Sequence, residues 1–240
     1  MVNIDNVYQK VLAIANKEQR GYVTPQEFNL FADQAQMVIF EQYFYDQSQF
    51  LRLPGNDTSY ADAVTNLEQK ISIFERYDKV FYAVNDYGDV NLNSIIDRLY
   101  RIGMVRIDYH NGPRFVTADR INISELSQYA YAPLTKGNKE TPFYTNFKER
   151  IKVYPYPKPP KDRVMVSYVL KPNRAYWGYN VIGENALYDP NKSSNFELHS
   201  SEENDLVMKI LTLAGISMKD PSVYQIASTE DQKSVQQQKQ

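Results

Sequence analysis

Chemistry needs nucleophiles, proton carriers or metal ligands at workable spacing, and this chain of 240 residues is short of all three. It has no cysteine, which removes disulfides, thiolate metal sites and cysteine nucleophiles together. Its only two histidines, His110 and His199, are far apart in the chain, and neither belongs to a metal-ligand spacing. His110 falls in a predicted hairpin turn, where a solvated imidazole is the ordinary state; His199 just precedes a predicted helix. No Walker-type phosphate loop, dinucleotide fingerprint, zinc-protease helix or nucleophile elbow occurs. Asp86-Tyr87-Gly88-Asp89-Val90-Asn91 faintly suggests a calcium loop. Its oxygen ligands are too few and no glutamate closes it, so it reads as a polar turn. The pair Glu202-Glu203 is explained by a helix start, where carboxylates favour the dipole. Among 29 acidic residues nothing selects a hydrolytic pair. The expectation is a chain with no catalytic residue, no cofactor and no metal, and not an enzyme.

What remains is non-covalent chemistry. Lys148, Arg150, Lys152, Lys158, Lys161 and Arg163 cluster around the stiff connector Pro155-Tyr156-Pro157-Lys158-Pro159-Pro160, interleaved with Tyr154 and Tyr156. Such a cluster can touch a phosphate backbone weakly and without regard to sequence, although a solvated surface is the commoner fate of such charges. The formal net charge is −2, so no global field recruits nucleic acid or an anionic membrane. The other conspicuous feature is 20 tyrosines beside 11 phenylalanines. Tyrosine suits surfaces that are first wet and later buried, but it also suits half-exposed strands, and composition leaves both open.

The elements that must carry these residues are legible from periodicity. A first helix is predicted over about 3–17, with Ile4, Val7, Tyr8, Val11 and Ala15 on one stripe. Thr24-Pro25-Gln26-Glu27 is a strong helix start, with Thr24 as cap, Pro25 at the first position and Glu27 completing a capping box. The helix it opens, to about 46, is apolar on two sides. Phe28, Phe31, Ala32, Ala35, Val38, Ile39 and Tyr43 share one face, and Leu30, Met37, Phe40 and Phe44 lie opposite. A helix apolar on two sides is covered on two sides, the second cover being either the same domain or another subunit. After a loop at Pro54-Gly55-Asn56-Asp57, a third helix is predicted over about 61–77, with Ala63, Leu67, Ile71, Phe74 and Tyr77 on its face.

The pattern then changes to strands at 98–109, 150–154 and 164–170, with a hairpin turn at His110-Asn111-Gly112-Pro113 and a short helix near 123–131. Residues 172–199 show little regular pattern yet carry Tyr176, Trp177, Tyr179, Tyr188 and Phe196, aromatics that need a surface to bury against. Ser200 with Glu203 reads as a capping box for a helix through Leu206, Val207, Ile210, Leu211 and Ala214. Asp220-Pro221 opens a last helix, and the end from about 229 is polar and glutamine-rich. The order of helices, strands, helices gives an α+β class: an N-terminal helical bundle, a central antiparallel β region and C-terminal helices. We expect one domain over 1–240, in parts 1–78 helical, 79–172 β-rich, 173–199 an aromatic loop and 200–240 helices with a tail. No apolar run approaches the ~20 residues of a membrane span, and Met1-Val2-Asn3-Ile4-Asp5 has no leader pattern. A soluble, cytoplasmically made protein is therefore expected.

The string Val7-Tyr8-Gln9-Lys10-Val11-Leu12-Ala13-Ile14-Ala15-Asn16-Lys17-Glu18-Gln19-Arg20-Gly21-Tyr22, continuing into Thr24-Pro25-Gln26-Glu27-Phe28-Asn29, resembles the opening of virion structural proteins of short-tailed bacteriophages. It is most similar to the neck ring proteins of crAss-like phages. The resemblance is specific over 7–46 and looser at Pro133-Leu134-Thr135-Lys136, at Tyr168-Val169-Leu170-Lys171-Pro172 and in the helices after His199. It implies a head–tail connector or adaptor: a homo-oligomeric, dodecameric ring joining the portal protein to other neck and tail ring proteins. Double-stranded DNA would pass through its channel without sequence-specific binding, and no membrane would be involved. Such a ring needs two different faces of one subunit to meet. The candidates are Leu30, Met37, Phe40 and Phe44 on the two-faced helix, and Tyr176, Trp177, Tyr179 and Tyr188 in the aromatic segment. Lys152, Lys158, Lys161 and Arg163 are candidates for a DNA-channel or partner contact. The near-neutral charge fits a wall that DNA slides past. The alternatives are another non-enzymatic virion or tail protein, and a surface module whose tyrosines and tryptophan stack on sugars.

Overall fold

In a computed structural model, residues 1–17, 23–50, 58–112, 114–132, 136–183 and 185–217 are described. The chain divides into two compact units, where a single domain was expected. The first comprises Met1–Ile73 with Pro172–Gln240, the second Phe74–Lys171. The fold is α+β as expected, with helices at both ends of the chain and strands between.

Among the described residues the first unit is built on four helices: α1 (Ile4–Lys17), α2 (Pro25–Phe50), α3 (Thr58–Ser72) and α5 (Glu203–Ser217). The capping box that opens α2 is present in both directions. The Glu27 amide donates to Thr24 Oγ1 at 3.3 Å, and the Thr24 amide donates to Glu27 Oε2 at 3.0 Å. These bonds, the Thr24 hydroxyl first, hold the Glu27 carboxyl below its ordinary pKa. The buried face of α2 is one broad, continuous arc rather than two opposite stripes: Phe28, Ala32, Ala35, Ile39, Phe40 and Tyr43 are all buried. Helix α5 packs on α1 and α2 through Leu206, Val207, Ile210 and Leu211. It starts differently from expectation. A single 3-10 turn, Ser200–Glu202, precedes it, and the cap is His199, whose Nδ1 accepts from the Ser201 amide at 3.3 Å. Glu202, 4% exposed, pairs with Lys70 of α3 at 2.7 Å. That charge, after burial itself, raises the pKa of the Tyr43 phenol.

Helix α3 ends at Ser72, earlier than its pattern promised. Phe74 and Tyr77, expected on its face, belong instead to the start of the second unit and to its first strand. That unit is a seven-stranded sheet in the order β1-β7-β3-β4-β5-β6-β2. Its strands are β1 (Glu75–Phe81), β2 (Asp89–Asn91), β3 (Leu99–Asp108), β4 (Val116–Arg120), β5 (Phe143–Asn146), β6 (Arg150–Tyr154) and β7 (Arg163–Leu170). Between β4 and β5 lies the short helix α4 (Leu126–Tyr131). Pairing is antiparallel except for β4 with β5, which are parallel, a departure from the antiparallel expectation. One face is apolar: Val105, Ile107, Ala118, Ile151, Val153, Val164 and Val166 are buried together with Tyr109 and Leu92. The strands joined by the proline connector, β6 and β7, are not neighbours in the sheet, so the connector carries the chain from one side of it to the other.

The expected loop at 54–57, the helix from 220 and the polar tail lie outside the described residues.

Candidate functional site

Residues 172–199 are the part of the first unit that sequence patterning left shapeless, and 172–183 and 185–199 are ordered in detail. Two buried amides on α2, Asn29 and Gln36, sit seven residues apart on its buried stripe and act as surrogate backbone. Asn29 receives the Trp177 amide on Oδ1 at 2.6 Å and donates Nδ2 to the Trp177 carbonyl at 3.1 Å. Gln36 donates to the Asn173 carbonyl at 2.7 Å and receives the Glu197 amide at 3.0 Å. The Asn29 pair satisfies backbone groups of Trp177 that would otherwise be buried unpaired, at a typical cost of about 1–3 kcal/mol apiece, and the Gln36 pair does the same for part-buried groups. The Trp177 indole donates to Asp5 Oδ1 at 2.9 Å, and its ring meets Tyr8 with centroids 4.4 Å apart. Trp177 is 2% exposed and Phe196 is fully buried.

From this anchor a hairpin rises: β8 (Tyr179–Ile182) and β9 (Asn185–Tyr188), paired only with each other. Its base is aromatic, with Tyr179 and Tyr188 opposite each other and each 5.7 Å from the Trp177 ring. Gly178 at the base admits no side chain, since a Cβ would fall 2.6 Å from the Lys192 backbone. At the turn, Gly183 takes φ +66, the left-handed region that glycine enters without strain. The tip is aliphatic and open: Val181 is 66% exposed, Ile182 65% and Leu187 51%. The pairing register puts Ile182 and Leu187 on one face and Val181 on the other with the tyrosines.

The sequence candidates therefore divide. Phe40 and Trp177 are spent in the core of their own unit and are corrected as interface residues. Met37, Phe44, Tyr179 and Tyr188 are half-buried. Leu30 is exposed, with Val38 and Tyr45 beyond it on the same outer side of α2, and Tyr176 is exposed. The open aliphatic residues Val181, Ile182 and Leu187 were not among the sequence candidates. The signal was present in Val181-Ile182-Gly183-Glu184-Asn185-Ala186-Leu187, an apolar pair, a glycine turn and a second short apolar strand.

The basic candidates belong to the second unit. The proline connector is pinned by Asp162, 7% exposed, which accepts from the Lys158 amide at 2.7 Å and the His110 amide at 2.8 Å. With burial, this carboxylate raises the pKa of the Tyr109 phenol, which itself donates to the Pro155 carbonyl at 3.2 Å. Lys158, Lys161 and Arg163 project from the pinned loop, exposed. Lys152 is half-buried beside them, 5.7 Å from the Tyr154 ring and 5.6 Å from that of Tyr156. The same two rings continue a row from Phe143, stacked on Tyr154 at 4.9 Å, to Tyr87, 6.4 Å from Tyr156.

The turn that faintly resembled a calcium loop is closed by its own groups: Asn85 Oδ1 accepts from the amides of Tyr87 and Asp89. A cleft of ≈ 170 Å³ lies beside it, but the Arg150 guanidinium stands 3.5 Å from Asp89 there and supplies the positive charge. Among the described residues no group of three or more His, Asp or Glu is placed to hold a metal, and no helix is long and apolar enough to cross a membrane. The sequence matches no protein-family model and no curated protein.

Proposed function

We propose that this chain is a non-enzymatic structural subunit of a phage neck, assembling into a ring between portal and tail around the DNA exit channel. The observation that carries the assembly part is the β8–β9 hairpin. Isolated two-stranded hairpins are marginal in water, and one ending in three open aliphatic side chains is stabilised when a partner covers it. Its buried Trp177 base and its Asn29 clamp hold that tip in place before any partner arrives, which lowers the entropy lost on association. The covering surface is a second copy of the chain. A ring places one face of each subunit on a different face of the next, and the exposed Leu30, Val38 and Tyr45 row on α2 offers an apolar surface of the needed kind. The neck assignment itself is carried by the resemblance over residues 7–46.

Electron microscopy of the purified protein, alone and with candidate portal and tail proteins, tests this reading. Self-association of the protein alone is expected, with closed rings around an open centre in at least one mixture. Single particles of subunit size in every mixture would refute it.

A further inference from the structure

We infer that the loop Tyr154–Arg163, with Lys152, is a contact site for the phosphate backbone of duplex nucleic acid. The chain's net charge of −2 conceals a local excess, visible in the sequence as a cluster and sharpened by the fold of the loop. Between Pro155 and Arg163 the sequence has three cations, Lys158, Lys161 and Arg163, and one acid, Asp162. That acid is turned inward, its two oxygens taken by the backbone amides of His110 and Lys158, while the three cations stay exposed. None of the three forms an ion pair among the described residues. The carboxylate cross-strand from Arg163, Asp108, already has Arg114 at 4.0 Å, and the one cross-strand from Lys152, Asp89, has Arg150 at 3.5 Å. Lys152 adds a fourth cation from β6, lying over the rings of Tyr154 and Tyr156.

The shape of the site argues for an extended ligand. None of the four cations lines either of two clefts found in this unit, and Lys158, Lys161 and Arg163 are exposed on its surface. Three of the four cations are lysines, point charges on flexible stems, which suit non-specific contact along a row of phosphates rather than a bidentate clasp of one group. The pinning by Asp162 and the prolines means that little loop entropy is lost on contact. A contact of four charges is weak and salt-labile, which lets a duplex slide rather than stick. This inference stands on the loop alone and does not need the ring.

Fluorescence anisotropy of a labelled duplex of scrambled sequence tests it, with polyglutamate of similar charge as the second ligand. With four cations engaged, wild-type affinity for the duplex should fall about a hundredfold between about 50 and 200 mM salt. The triple variant Lys158→Ala, Lys161→Ala, Arg163→Ala should bind weakly at low salt and lose only about threefold over that range. A melting curve matching wild type would show that the exposed substitutions leave the fold intact. No duplex binding by the wild type at low salt would overturn the proposal, as would equal binding by the variant. Polyglutamate binding as tightly as DNA, with the same loss in the variant, would replace it with an acidic protein partner. Repeating the titration on a chain with Ile182→Asp and Leu187→Asp separates the two readings, since assembly can fail there while the loop still binds.

Discussion

Two projections of this chain are held by similar means and offer opposite chemistry. The β8–β9 hairpin is set by buried side chains, Trp177 clamped by Asn29, and ends in uncharged Val181, Ile182 and Leu187. The connector before β7 is set by a buried carboxylate, Asp162, and ends in Lys158, Lys161 and Arg163. In both, a polar group satisfies backbone amides inside so that the exposed residues are free of structural duty. The difference lies in what is left outside. An aliphatic tip gains by excluding water and requires a shaped cover, whereas a cationic loop gains by releasing counterions and requires only charge density. On the function proposed above, the first would be fixed by one partner and the second slid past by another.

The comparison can be broken at the anchors first. Trp177→Ala removes a buried ring that meets Tyr8, Tyr179 and Tyr188, and should cost about 3–5 kcal/mol in urea unfolding. Asp162→Ala strips the acceptor from two amides near the surface, where water replaces part of the loss, and should cost about 1–3 kcal/mol by the same measurement. Thr24→Ala removes the cap of α2 and should cost about 1 kcal/mol. Ile182→Asp with Leu187→Asp touches no anchor, and melting should shift by less than about 0.5 kcal/mol equivalent. If that pair destabilises as much as Trp177→Ala, the tip is core rather than surface and the contrast collapses.

The α2 cap also carries a pH signature. The Glu27 pKa is lowered in the folded chain, so its stabilisation is present above the ordinary glutamate pKa of the unfolded chain. It is lost as pH falls through the lower folded value. Unfolding curves of wild type and Glu27→Gln should therefore converge in acid and separate near neutrality.

Much of this architecture was legible because it rests on local rules. The Thr24 cap, the stripe of α1 and the strand Arg150–Tyr154 follow from spacing alone, and all three stand where the pattern put them. The failures share a physical cause. Helix α3 was extended through Phe74 and Tyr77 because an apolar residue every three or four positions fits a helix, yet pairing with β7 claimed the stretch from Glu75. Phe40 was set opposite the core face of α2, although α5 and α3 cover a wider arc of that helix than one stripe implies. In residues 172–199, order comes from Asn29 and Gln36, more than a hundred positions away, and no window of sequence contains both halves of that clamp. The basic loop was visible as a cluster, but the inward turn of Asp162, which gives its oxygens to backbone amides rather than to the loop's cations, was not.

Sedimentation velocity of the wild type and of the Ile182→Asp, Leu187→Asp chain, over a range of concentrations, tests the central claim most directly. The account predicts species larger than one subunit for the wild type, growing with concentration, and a folded single subunit for the double variant throughout. Identical single-subunit profiles for the two chains, or identical large species, would contradict it.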